Sequence, residues 1–367
     1  MTRIMLGAGG TGGHVYPALA VAEALSESDA HELYFVGTVG GMERRLVEIS
    51  GVSFQRIDEV RAGPIVGVNP ARALFSLIKM GIGVLQSLMI LMQVRPDVIL
   101  FTGGWANVPV AVVAKILGRP MIVYLPDIAP GRTVKMLATL AGQAAITVDD
   151  AAAYFPGIET IVTGYPLRNS FDDASRDAGI AHFGLNPAKK TLLITGGSSG
   201  ARNINQAIER ILPQLLMQDL QILHISGTLD YERVKASTAD ISNPDYHLLA
   251  YVDAMALAYA VSDIALCRAG ASTLAELPFF GLPGILVPYP YAWDYQKINA
   301  DYLAERGAAI HMNDEDMAEQ LLLTLEDLLQ HPTKLADMAK QAHAIRQQPG
   351  AAALAEVLLE LAGETHS

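Results

Sequence analysis

Four glycine-rich segments, each placed directly after a short apolar run and before a helical pattern, constrain this chain more than any other feature. They are Gly7-Ala-Gly-Gly-Thr-Gly-Gly-His14, Phe101-Thr-Gly-Gly-Trp-Ala-Asn-Val-Pro109, Gly196-Gly-Ser-Ser-Gly-Ala201 and Arg268-Ala-Gly-Ala-Ser-Thr273. Small residues at a strand-to-helix junction let backbone N–H groups approach an anion, and the helix N-terminus behind them adds a favourable dipole. Junctions of this kind belong to βαβ units around parallel sheets, with the loops at the carboxyl ends of the strands.

The runs between the loops carry the matching pattern. Arg3–Leu6, Leu33–Val36, Val98–Phe101 and Met121–Tyr124 read as strands, and Val15–Leu25 as a helix with apolar residues at 15, 18, 19, 22 and 25. The same grammar restarts at Thr191–Thr195, followed by a helix with Ile204, Ile208, Ile211, Leu212 and Leu215 on one face. It continues through strands at Gln221–Ile225, Asp263–Cys267 and Gly284–Val287. A length of 367 residues suits two domains. Their expected boundary is Gly164-Tyr-Pro166, ahead of the charged, weakly periodic stretch Asn169–Lys190.

Composition narrows the function. Apolar residues make up 51% and charged residues 17%, which supplies two cores and argues against general disorder. The balance of 26 Lys+Arg against 38 Asp+Glu, net −12, is poor for coating nucleic acid, so no nucleic-acid partner is expected. The charge is uneven: residues 1–165 hold 12 basic against 13 acidic side chains, the remainder 14 against 25. A near-neutral half beside an acidic half fits one face that meets an anionic membrane. The single Cys267 excludes an internal disulfide framework and a cysteine cluster for zinc, and points to a reducing compartment.

No signal-peptide pattern precedes the first strand. The most lipid-like stretch, Met80–Met92, is 13 residues long between Lys79 and Gln93, short of the roughly 20 that span a bilayer. Leu74–Met92 therefore reads either as a core helix or as one whose Leu74, Phe75 and Ile78 dip into the bilayer interface, with Arg72 and Lys79 towards the headgroups. A soluble or peripheral protein is expected.

The first loop contains G-x-G-x-x-G at Gly7, Gly9 and Gly12. A dinucleotide site also needs an acidic residue about 20 positions on to hold the ribose, and the chain has Val36-Gly-Thr38 there. No G-x-x-x-x-G-K-[ST] occurs, which argues against phosphoryl transfer from ATP. The nine histidines show no metal-ligand spacing, and Asp314-Glu-Asp316 reads as the solvated start of a helix. No metal and no cofactor are expected. Anion-suited loops shared by two domains instead suggest phosphate-bearing ligands around an interdomain cleft.

Gly9-Gly-Thr-Gly-Gly-His14 with Pro17, Gly196-Gly-Ser-Ser-Gly-Ala201, Arg268-Ala-Gly-Ala-Ser-Thr-Leu-Ala-Glu276, and Gln296 with Asn299 together resemble the MurG family. The resemblance runs from Arg3 to about Ala353. These are UDP-N-acetylglucosamine transferases that convert lipid I to lipid II in peptidoglycan synthesis. The resemblance implies an α/β GT-B glycosyltransferase fold, two Rossmann-like doubly wound domains facing a cleft. Residues 1–165 would form an acceptor-binding, membrane-associating domain and 166–345 a UDP-sugar donor domain. Residues 346–367 would form a C-terminal helix crossing back to the first. Implied partners are UDP-N-acetylglucosamine, lipid I and, peripherally, the cytoplasmic face of the bacterial cell membrane.

The same resemblance assigns roles. On the donor side Glu276 would accept hydrogen bonds from the ribose hydroxyls. Ala271, Ser272, Thr273 and Leu274 at the helix start, with Ser198, would face the diphosphate. Arg168 matches an arginine near the nucleotide, Val252 would line the uracil slot, and Gln296 and Asn299 would read the sugar hydroxyls. On the acceptor side Thr11, Gly12 and Gly13 would cradle the diphosphate together with Gly103, Gly104, Trp105 and Asn107, and Asp127 would lie nearby. His14 is the candidate general base, because an imidazole titrates near neutrality and an inverting displacement must deprotonate the attacking hydroxyl.

Each assignment has a structural counterpart. The first loop can be a tight turn packing helix on sheet, with His14 only orienting it. Glu276 can be an ordinary helical surface residue, Arg168 a linker arginine in an ion pair, Asp127 a structural carboxylate and Trp105 a packing residue. The chain also departs from the family pattern. Tyr124-Leu-Pro-Asp127 stands in place of His-Glu-Gln-Asn, and Gly-Gly-Trp-Ala-Asn-Val-Pro in place of Gly-Gly-Tyr-x-Ser-Gly-Pro. Tyr165 replaces an asparagine, and Tyr295 a histidine or glutamine. These changes bear on the acceptor more than the donor. The alternatives are a related GT-B transferase with another lipid or natural-product acceptor, a non-catalytic nucleotide-sugar or lipid-precursor binding protein, and a UDP-sugar epimerase.

Overall fold

The computed structural model describes residues 1–10, 12–28, 30–65, 69–197, 200–290 and 294–363. The chain divides into two compact units, Met1–Asn169 with Gln348–Ser367, and Ser170–Gln347.

Among the described residues of the first unit, the strands are β1 (Thr2–Gly7), β2 (His31–Thr38), β3 (Arg56–Val60), β4 (Val98–Phe101), β5 (Met121–Leu125), β6 (Gln143–Ile146) and β7 (Glu159–Val162). They form one sheet in the order β3-β2-β1-β4-β5-β6-β7 with every neighbour parallel. One helix follows each strand up to β5: α1 (Gly12–Leu25), α2 (Glu43–Ile49), α3 (Pro70–Val94), α4 (Asn107–Ile116) and α5 (Arg132–Ala141). Strand order reverses between β1 and β4, so the loops carrying Gly7–His14 and Phe101–Pro109 emerge side by side at the switch point. Helices cover both faces of the central strands, which is why β4 and β5 read as uninterrupted apolar runs. Edge strands β3 and β7 are only partly buried and β6 is rich in alanine, so the sequence pattern picked out none of the three.

The second unit repeats the plan. Helix α6 (Arg176–Phe183) leads into β8 (Lys190–Thr195), β9 (Leu220–Ile225), β10 (Tyr246–Leu249), β11 (Ile264–Cys267), β12 (Gly284–Leu286) and β13 (Ala309–His311). These are parallel, in the order β10-β9-β8-β11-β12-β13. Between and after them run α7 (Arg202–Leu215), α8 (Tyr231–Ser237), α9 (Met255–Ala260), α10 (Thr273–Phe280), α11 (Tyr295–Glu305), α12 (Met317–Gln330) and α13 (Pro332–Ala344). Ile204, Ile208, Leu212 and Leu215 of α7 are fully buried in one core cluster with Ile194, Ile222 and Leu266. Each such side chain contributes about 2 kcal/mol by burial.

The last helix, α14 (Gly350–Gly363), belongs to the first unit, where it packs on α1 and buries Leu354 and Leu358. Its first residue has to be glycine, because a Cβ there would lie 2.5 Å from the carbonyl carbon of Tyr165.

Helix α3 corrects the reading of the lipid-like stretch as 13 residues. It runs 25 residues, starts on an Asn69 cap that accepts the Arg72 N–H, and takes in Lys79. By length and composition it is long enough to cross a membrane. Its faces are inverted relative to a core helix. Ser76, Gly83 and Ser87 lie inward with Ile90, Leu91 and Val94, while Leu74, Phe75, Leu77, Ile78, Leu85, Met89 and Met92 are exposed. The inward face is tied to the unit: α3 packs on α4, and a Cβ on Gly83 would meet the Arg61 carbonyl oxygen at 2.2 Å.

Candidate active site

In the first unit the two glycine loops touch. A Cβ on Gly104 would lie 2.6 Å from Gly9 Cα, and one on Gly103 would lie 2.5 Å from His14 Cδ2. Both positions also have positive φ, +95° at Gly104 and +125° at Gly103, so only glycine lets the second loop lie against the first and against the imidazole. Thr102, at the end of β4, donates its hydroxyl to the His14 carbonyl at 2.6 Å. Asn107, buried at the start of α4, donates to the Gly103 carbonyl. The structure therefore brings together Gly12, Gly13, His14, Gly103, Gly104 and Asn107 beside the N-termini of α1 and α4, whose first N–H groups have no intrahelical partner. Thr11 lies outside the described residues. Burial lowers the His14 pKa below its ordinary 6.5, which keeps the ring neutral at pH 7 with a lone pair to accept a proton.

Sequence reasoning missed Glu43. It opens α2, is 2% exposed, and accepts the Gly10 N–H on Oε1 at 2.9 Å. Its other oxygen, Oε2, is buried without a hydrogen-bond partner, and Gly41 leaves the room it occupies, since a Cβ there would overlap Oε2. A buried carboxylate with one hydrogen bond is costly to desolvate, so its place behind the phosphate-suited loop calls for a role. A glutamate in the first turn of a helix looks ordinary in sequence, and nothing local distinguishes this one.

The departure at Tyr124–Asp127 is mostly internal. Tyr124 and Leu125 end β5 as core residues, the Tyr124 hydroxyl paired with Thr147 Oγ1 at 2.8 Å. Asp127 and Trp105 are half-buried. Arg168 falls in the first unit, its guanidinium 4.9 Å from the Tyr16 ring and its charge acting on Glu23.

In the second unit Gly196 and Gly200 make a close-packed turn: a Cβ on Gly196 would lie 2.2 Å from the Ala201 nitrogen, and one on Gly200 2.2 Å from the Ser226 oxygen. Ser198 lies outside the described residues. At the next loop the Ser272 hydroxyl donates to Glu276 Oε2 at 2.8 Å and the Thr273 hydroxyl to the Arg268 carbonyl at 3.1 Å, so both hydroxyls help to shape the loop. Tyr259 donates to the same Glu276 oxygen at 2.9 Å. Ala271 lies half-buried and Leu274 and Val252 buried. Asn299 is buried and donates to the Ala269 carbonyl at 3.1 Å, supporting the loop from beneath. Gln296 accepts the Tyr289 N–H at 2.8 Å. Burial, with the charge of Glu276 adding to it, pushes the Cys267 thiol up to about 12, so Cys267 stays protonated core. Asp314 is not solvated: it pairs with Arg268 and accepts from Asn203.

Two doubly wound parallel units, each with glycine loops at the carboxyl ends of its central strands, have the plan of the GT-B fold. Residues 4–146 match the glycosyltransferase family 28 N-terminal domain and residues 191–356 the family 28 C-terminal domain. The chain is 36% identical to a UDP-N-acetylglucosamine--N-acetylmuramyl-(pentapeptide) pyrophosphoryl-undecaprenol N-acetylglucosamine transferase of Roseiflexus sp. (strain RS-1), covering 97% of this chain and 94% of that one. It is 37% identical to the protein of the same name from Desulforamulus reducens, covering 92% and 93%. The crystal structure of Acinetobacter baumannii MurG superimposes with a TM-score of 0.76 at 28% identity, covering 98% of this chain and all of that one. The chain belongs to the MurG family.

Proposed function

We propose that this protein transfers N-acetylglucosamine from UDP-N-acetylglucosamine to the muramoyl C4 hydroxyl of lipid I, the undecaprenyl-diphosphate-linked MurNAc-pentapeptide, with inversion at the anomeric carbon. The observation that carries this reading is that relatives named for that transfer match both units over nearly their full length. In this reading the first unit holds the acceptor, its diphosphate against Gly12, Gly13, Gly103 and Gly104. The neutral His14 imidazole takes the proton of the C4 hydroxyl as that oxygen bonds to the anomeric carbon and the bond to UDP breaks. The second unit holds UDP: Glu276 receives the ribose hydroxyls, and helix N-termini stabilise the charge that develops on the departing diphosphate.

The exposed apolar face of α3 supports peripheral attachment to the cytoplasmic face of the membrane, because its Gly83 face is engaged by the unit and only the Leu74–Met92 side is left for lipid. Replacing Leu77, Ile78, Leu85 and Met89 by serine should abolish cosedimentation with anionic vesicles without changing the circular dichroism; undiminished cosedimentation sinks the assignment. The activity is tested by UDP release from UDP-N-acetylglucosamine with and without a short-chain lipid I analogue, in EDTA. Release that depends on the analogue is expected. Donor binding without such dependence would move the acceptor to another molecule.

A further inference from the structure

The Glu276 carboxylate is held by two donors that converge on one oxygen, Ser272 Oγ at 2.8 Å and Tyr259 Oη at 2.9 Å. Ser272 belongs to the same loop, but Tyr259 comes from α9, on the other side of β11 in sequence. The tyrosine is 7% exposed, and its ring is fixed by aromatic packing. It stacks on Phe280 with centroids 6.3 Å apart and rings inclined at 25°, and meets Phe171 at 6.4 Å. Phe171 is itself buried and packs edge-on against Phe279.

A phenylalanine would fill that aromatic cluster equally well. A buried hydroxyl costs free energy unless it is hydrogen-bonded, so the hydroxyl at this position is explained by what it bonds. A glutamate side chain has several rotamers and a freely turning carboxyl group, whereas recognition of a vicinal diol needs a carboxylate held in one plane. A core-anchored donor from a second element supplies that restraint, because its position does not depend on the loop it orients.

We propose that Tyr259 is a positioning residue for nucleotide recognition, its hydroxyl setting the Glu276 carboxylate in the orientation that selects a ribose over a 2′-deoxyribose. The proposal rests on the reading that Glu276 receives the ribose hydroxyls. The test measures dissociation constants of UDP and 2′-deoxy-UDP by calorimetry for the wild type, Tyr259→Phe and Glu276→Ala, with melting temperatures and steady-state kinetics alongside. Tyr259→Phe should reduce the preference for UDP about tenfold. It should raise KM for UDP-N-acetylglucosamine while leaving KM for the lipid acceptor unchanged. A merely structural tyrosine would lower the melting temperature and leave the UDP to deoxy-UDP ratio as in the wild type. That ratio retained in Tyr259→Phe but lost in Glu276→Ala overturns the proposal and leaves the ribose reading standing. Retention in Glu276→Ala overturns the ribose reading and the proposal with it.

Discussion

Arg268 Nη1 lies 2.6 Å from Asp314 Oδ1, an ion pair whose side chains are 11% and 14% exposed, across 46 residues of sequence. The same guanidinium nitrogen donates to the carbonyls of Val287 and Pro288, and Asp314 accepts from Asn203 at the start of α7. One arginine and one carboxylate thus fasten the ends of β11 and β12 to the helix that follows the Gly196 loop.

Removing one partner of a largely buried pair leaves an uncompensated charge, at a cost of about 3 kcal/mol. Asp314→Ala should therefore lower the urea midpoint by a corresponding amount and weaken UDP binding. A variant with wild-type stability and affinity would show the pair to be dispensable.

Glu43 acts on the first loop through the Gly10 N–H. Glu43→Gln retains an oxygen for that bond and should keep KM for the lipid acceptor within a few-fold of wild type. Glu43→Ala should raise it about tenfold with KM for UDP-N-acetylglucosamine unmoved. Equal changes in both constants would mean that Glu43 does not act on the acceptor side alone.

Burial places the His14 pKa below 6.5, and a general base works only when deprotonated. The sign follows: kcat/KM should be flat from pH 7 to 8 and fall about tenfold per pH unit on the acid side, with its bend below 6.5. His14→Ala should lose about a thousandfold in kcat. An acid limb centred above pH 7, or near-normal turnover in the variant, would remove His14 from this role.

His224 is 0% exposed, with Nδ1 2.9 Å from the Tyr246 hydroxyl and Nε2 3.0 Å from Asn205 Oδ1. Burial lowers its pKa to about 3, so it is neutral when folded and protonates near 6.5 when unfolded. The stability linked to it is fully present above about pH 6.5 and is lost on acidification, at about 1.4 kcal/mol per pH unit, down to about 3. Asp230 in the same network is depressed, chiefly by its hydrogen bond from Arg233, and loses its contribution only at lower pH. Urea midpoints at pH 7.5, 5.5 and 4.5 should fall more steeply for wild type than for His224→Gln. His14 and His247, also lowered by burial, add the same slope to both proteins, so parallel curves would rule out His224.

Much of this was legible in the chain. Val98–Phe101 and Thr191–Thr195 are buried on both faces of their sheets, so their apolar runs name them as central strands. Glycines at 103 and 104 mark a strand-to-helix junction in the sequence, and the structure shows that a Cβ there would have no room beside Gly9 and His14. What neighbouring residues do not announce is the direction of polar side chains. The Ser272 hydroxyl turns to Glu276 and the Thr273 hydroxyl to the Arg268 carbonyl. Asp314 has the composition of a solvated helix start, yet is drawn in by an arginine from a distant strand end.

The sequence by itself determined the succession of parallel βα units, the two-unit plan and the positions of the loops. Hydrophobic period, glycine placement and helix starts are properties of neighbouring residues, and they survive without knowledge of the partner elements. Only the tertiary structure decided which polar groups meet: Glu43 behind Gly10, Tyr259 against Glu276, and Arg268 with Asp314. Those pairings depend on strand order and on which helix covers which face, and residues brought together from 17 to 46 positions apart carry no local pattern that announces them.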